Sequence, residues 1–235
     1  MLPNELISRS PLRILEKSTH GGVGKGNIGV ISARKGVGKT ACLVHIATDQ
    51  LFQDKHIIHV SFAADTSHIM TWYEEVYQEI ARLYKLEDDN IHDKLTKNRV
   101  IMNFKQDSAS VPKVLKGIRA MVKDAQFGAD IVIVDGYDFE KSTPEEFSIF
   151  KEMAEEMNIE IWFSATVHRD DTNIDEHGVA KSISRFKDNL AIMIQLEPRE
   201  NYIHLHLIKD HDVYPAADNL HLKLDPHSLL IMNES

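Results

Sequence analysis

The sequence has one cysteine, Cys42, so no disulfide can form within the chain. Its place in an apolar helical stretch reads as a small core residue and not a reactive thiol. That usage suits a reducing compartment, and the chain is expected in the cytoplasm. No apolar run reaches the roughly eighteen uncharged residues of a membrane span. The first residues, Met1 to Leu6, show no basic stretch followed by an apolar one, which predicts no secretory leader. Positive charge is also scarce: 27 basic residues face 36 acidic ones, for a formal charge of −9. Domains that grip nucleic acid through its phosphates show a basic face, so the balance disfavours a nucleic-acid partner.

What is present suits one α/β domain spanning 1–235, with 1–27 as an N-terminal lead-in. The chain has 235 residues, 43% of them apolar, enough for a sizeable core. Apolar runs at 28–31, 56–62, 99–104, 131–134 and 159–164 read as strands. Between them, 41–47, 67–84 and 111–127 read as helices, the last capped by Ser110, and Thr143-Pro144-Glu145-Glu146 opens a fourth. Along 67–84 the stripe Ile69, Trp72, Tyr73, Val76, Ile80 and Leu83 predicts core packing, and it favours packing over adenine stacking for Trp72, Tyr73 and Tyr77. The polar stretch 87–98 reads as a surface connection. In the lead-in, Leu6, Ile7, Leu12, Ile14 and Leu15 support one short amphipathic turn or edge segment, and the glycines of 20–26 a flexible approach to the first strand. Strands then recur at 191–196, 202–208 and 220–224 with no helix between. Alternation first and strands alone afterwards predict a mostly parallel sheet, helices on both faces and antiparallel C-terminal strands.

The strongest local signal is Ala33-Arg34-Lys35-Gly36-Val37-Gly38-Lys39-Thr40, followed by Ala41. It fits the phosphate-loop pattern GxxxxGK[ST] everywhere except at its first position, where Ala33 replaces glycine. A strand leads in and a helix leads out, the order this chemistry needs. Glycines let backbone N–H groups close around phosphate oxygens, and the helix N-terminus adds a favourable field. Lys39 is expected on the β- and γ-phosphates of ATP and Thr40 on Mg²⁺. Asp135, ending four β-branched residues and followed by Gly136, is the expected second Mg²⁺ residue.

From about Leu12 to Asp212 the chain resembles the RecA-like phosphate-loop ATPases, the group of RecA, the DnaB helicases and KaiC. The resemblance is carried by the loop and by Asp135. It implies a polar sensor after the next strand, which falls on Thr166, within Phe163-Ser164-Ala165-Thr166-Val167-His168-Arg169. It also implies a late Lys-x-Arg acting on a neighbouring subunit. Here Lys209 matches, but His211 stands where arginine is expected, and a neutral imidazole is a poor substitute for a fixed bidentate cation. The glutamate that polarises water after the second strand in these relatives has no counterpart in Val60-Ser61-Phe62-Ala63-Ala64-Asp65-Thr66-Ser67. Ala63 falls at its place, leaving Asp65 as the candidate base and slow hydrolysis as the expectation. The loop is also similar to that of MinD- and ParA-like ATPases, although their signature lysine falls where Arg34 stands.

The resemblance implies ATP and Mg²⁺ as ligands and three classes of role. These are a switch or assembly ATPase working with a protein partner or its own copies, a DNA-handling helicase or recombinase relative, and a module that binds nucleotide with negligible hydrolysis. The 169–187 loop, where such relatives line a DNA channel, mixes Arg169, Lys181, Arg185 and Lys187 with Asp170, Asp171, Asp175, Glu176 and Asp188. It reads as a mobile surface loop rather than a nucleic-acid groove. Among thirteen histidines, His204 and His206 share a strand face without cysteine or carboxylate spacing, and predict no transition-metal site.

Overall fold

In a computed structural model of the chain, residues 3–63, 65–86, 89–105, 110–168, 173–216 and 219–234 are described. In the lead-in, Leu6, Leu12 and Leu15 bury themselves through two short helices, α1 (Pro3–Arg9) and α2 (Leu12–Ser18), where one turn was expected. Strand β1 (Ile28–Ala33) is buried along its whole length and runs through the loop into α3 (Lys39–Phe52). There follow β2 (Ile57–Ser61), α4 (Ser67–Tyr84), α5 (Asp89–Lys97) and β3 (Arg99–Asn103). Helix α5 replaces the connection expected there: Leu95 is buried and Ile91 packs on the core, two anchors too sparse for periodicity to register.

Helix α6 (Val111–Arg119) continues into a π-helical turn at Ala120–Asp124, so the single helix expected over 111–127 is split. Ser110 holds the N-cap position but makes no capping bond with its side chain. After β4 (Ile131–Asp135), α7 (Pro144–Met157) starts with a reciprocal cap between Thr143 and Glu146, as its sequence dictates. Strand β5 (Glu160–Thr166), a short α8 (Lys181–Ser184) and the strands β6 (Ile192–Pro198), β7 (Ile203–Asp210), β8 (Leu222–Leu224) and β9 (Ile231–Asn233) complete the order.

The nine strands form one sheet in the order β3-β2-β4-β5-β1-β6-β7-β8-β9. The first six in that order run parallel, and β7, β8 and β9 add on antiparallel. Apolar residues cover both faces, as buried parallel strands require. On one face pack α1 to α5, where α3 is buried all round. On the other pack α6 and α7, with an aromatic cluster around Phe147, whose ring lies 5.0 Å from those of Phe163 and Phe186. Tyr73 is buried with its hydroxyl 3.0 Å from His59, so this part of the aromatic stripe on α4 is core.

Candidate nucleotide-binding site

The register of the sheet brings the sequence motifs to one edge. Ala33 pairs with Thr166, and Ser61 pairs with Asp135, at the carboxyl ends of the parallel strands. Ala33 still belongs to β1 and its φ is not positive, so nothing in its conformation calls for glycine. Gly38 is the demanding position. It caps α3 at φ +112°, and a Cβ there would lie 2.7 Å from the Leu224 side chain. Gly36 also has positive φ, at +81°, but faces open space. Arg34, Lys35 and Gly36 are exposed, whereas Val37 is half-buried and Ala41 is buried in α3.

Lys39 opens α3 with its side chain curled under the loop. Its Nζ donates to Ala33 O at 3.1 Å and Arg34 O at 3.0 Å. Burial holds the ammonium below its usual pKa, and the negative charge of Asp135 partly opposes this. One residue on, Thr40 Oγ1 donates to Asp135 Oδ2 at 2.9 Å, joining positions 95 residues apart. The strand end behind Asp135 is held too: Gly136 N–H donates to Ser164 Oγ at 2.8 Å, and Phe62 N–H to Asp135 O at 3.0 Å. A hydroxyl and a carboxylate facing each other beside an ammonium are hard oxygen donors with a phosphate-binding cation, a set that suits Mg²⁺ with a polyphosphate.

The chain has the RecA-like fold. It is similar to a solved structure of the ATPase domain of a DnaB-like helicase, with a TM-score of 0.66 and 16% identity over 93% of this chain and 88% of that one. In all, 498 solved chains match, and so widespread a fold does not by itself assign a function. No family model and no curated protein matches. Function must therefore be argued from the site.

The other candidates lie in three places. Thr166 ends β5 next to Ala33 and is half-buried, at the same edge as the loop. Asp65 is exposed. It accepts from Ser67 N–H at 2.9 Å and from the Ser67 hydroxyl, bonds that hold its carboxyl below the ordinary range, the hydroxyl contributing most. Ala63 N–H donates to Ser61 Oγ at 3.2 Å; Ala64 is outside the described residues. Lys209 and His211 end β7 opposite Ile192, which itself lies beside Gly29, at the start of β1 and away from the loop. Lys209 Nζ donates to Leu190 O at 2.5 Å and to His211 O, while the His211 ring bonds Asp210.

Residues 169–172 are outside the described segments, so Arg169, Asp170 and Asp171 are not placed. Those that follow contain α8 and a 3₁₀ turn at Lys187–Asn189, more order than a mobile loop implies. They line a cleft of about 920 Å³ in which Glu140, Asp175 and Glu176 oppose Lys181, Arg185 and Lys187. Arg185 is committed within the chain, donating to Glu140 O at 3.1 Å and Ser142 O at 2.8 Å. His204 and His206 pair with Glu234 and Glu197, and no cluster of three or more metal-ligating groups occurs among the described residues. Sequence reasoning missed Ser61, Ser164 and Leu224. The two serines end recognised strands and were within reach, whereas nothing local ties Leu224 to a glycine 186 positions earlier.

Proposed function

We propose that the chain is a phosphate-loop ATPase that binds Mg²⁺-ATP, turns it over slowly and serves as a nucleotide-dependent switch or assembly ATPase. The hydrogen bond from Thr40 to Asp135 carries this reading, because it unites the two expected Mg²⁺ residues beside Lys39. Lys39 exchanges its two loop carbonyls for phosphate oxygens, and the loop N–H groups hold the same phosphates. Mg²⁺, held by Thr40 and Asp135, neutralises charge on the phosphates. Thr166 is positioned to sense the loop through its neighbour Ala33. The slow turnover follows from Ala63, which offers no base, and from Asp65, whose carboxylate is engaged by Ser67. Lys209 and His211 occupy the other edge of the sheet, so any work they do on a phosphate falls on a neighbouring copy. That placement favours self-assembly over a monomeric cycle.

Calorimetric titration with ATP, with and without Mg²⁺, tests the assignment on the parent and Asp135→Asn. The Asn variant is expected to lose affinity mainly in the presence of Mg²⁺. An equal change under both conditions makes Asp135 a structural residue and refutes the metal role.

A further inference from the structure

The second half of α3 faces a different chemistry. His45, Asp49 and Phe52 fall on one side of the helix, at i, i+4 and i+7, and line a cavity of about 400 Å³. Leu6 of α1, Ile80 and Leu83 of α4, and Leu230 and Met232 near the last strand complete its apolar wall. Leu83 and Met232, exposed by 45% and 38%, leave the mouth apolar as well. The volume lies within the roughly 300–1,000 Å³ of small-molecule sites, which pair apolar walls with a few placed polar groups.

His45 is such a group. It is 4% exposed, and its Nδ1 accepts the Ile231 N–H at 2.8 Å. Burial pushes its pKa down to about 4, so near neutral pH the ring is uncharged and its proton sits on Nε2. Among the described residues that Nε2–H has no acceptor, although its ring lines the cavity. Asp49, the acid of the floor, is already engaged by Arg13 and by Gln53 Nε2 at 2.9 Å. Arg9 and Lys223 line the same space, so its unmatched charge is positive. A polypeptide would need an open groove; this space is walled by helices on one side and the last strands on the other.

We propose that this cavity binds a small amphipathic monocarboxylate, an aliphatic acid with its chain against Phe52 and Ile80 and an oxygen accepting from His45 Nε2–H. The site is separate from the phosphate loop and does not depend on the nucleotide reading.

Calorimetric titration of the full chain with octanoate, and with 1-octanol as its uncharged counterpart, tests the proposal. One saturable octanoate site is expected, at least about fivefold tighter than any for octanol. Leu83→Trp, which plugs the mouth from an exposed position, should weaken octanoate about tenfold or more without moving the melting temperature. His45→Phe should weaken it as well, and Lys39→Ala should not. No saturable octanoate binding overturns the proposal. Equal affinity for octanol overturns the acid class, and full affinity in both Leu83→Trp and Met232→Trp overturns the location. A dimer that Leu83→Trp dissociates, in a chain that binds no octanoate, gives the cavity to a second copy instead.

Discussion

Asp135 and Asp210 each end a strand of the same sheet, one at either edge, and their surroundings differ. Asp135 is half-buried and receives the Thr40 hydroxyl, next to a lysine whose ammonium is bonded only to loop carbonyls. Asp210 is 3% exposed and closed from both sides: His20 Nδ1 lies 2.5 Å from one oxygen and His211 Nδ1 2.7 Å from the other. An aspartate at a strand end is therefore not a metal residue by position alone. The difference lies in what covers it, a loop that can trade its own bonds for phosphate or two imidazoles that complete a local network.

The comparison breaks most readily at the two lysines. Lys39→Ala should cut ATP affinity about 100-fold, the scale of a lost charge-assisted contact, measured calorimetrically. Lys209→Ala, at the other edge, should leave affinity within about twofold. Equal losses would end the distinction between the edges.

Acid should act next. Burial pushes both His45 and His59 down to about 4 in the fold, against 6.5 for an ordinary histidine. Between these values the unfolded chain binds more protons, so stability falls as pH drops from 6.5 towards 4. The loss is on the order of 3 kcal/mol for each ring, read from urea melts at pH 7 and pH 4. His59→Phe should flatten that dependence.

The aspartates themselves sharpen the contrast. Asp210→Asn should cost about 1–2 kcal/mol in urea melts by disturbing a buried hydrogen-bonded acceptor, and leave Mg²⁺-ATP binding intact. Asp135→Asn should do the reverse. The smallest effect concerns turnover. General-base assistance is worth roughly 10²–10⁴-fold when ideally placed, and Ala63→Glu should recover about tenfold in kcat with ATP affinity unchanged. No gain in a steady-state assay would show that position 63 does not face the attacking water.

Much of this organisation was legible along the chain. Helix α4 spans Ser67–Tyr84, the range its apolar stripe defines, because that stripe is continuous over five turns. The capping residues of α7 act where Thr143 and Glu146 predict. Helix α5 was not legible, since Leu95 is its one fully buried anchor in a polar stretch. Strand β9 was missed for the same reason: Ile231–Asn233 is three residues long and one of them is buried.

The sequence by itself determined the phosphate loop, the acid at the end of β4 and the division into a parallel and an antiparallel half. Each is written in contiguous residues whose spacing sets local geometry. Only the tertiary structure decided that Thr40 meets Asp135, that Leu224 closes on Gly38, and that Lys209 lies at the edge away from the loop. Those facts depend on strand order and register, which place residues far apart in the chain side by side and which no local pattern encodes.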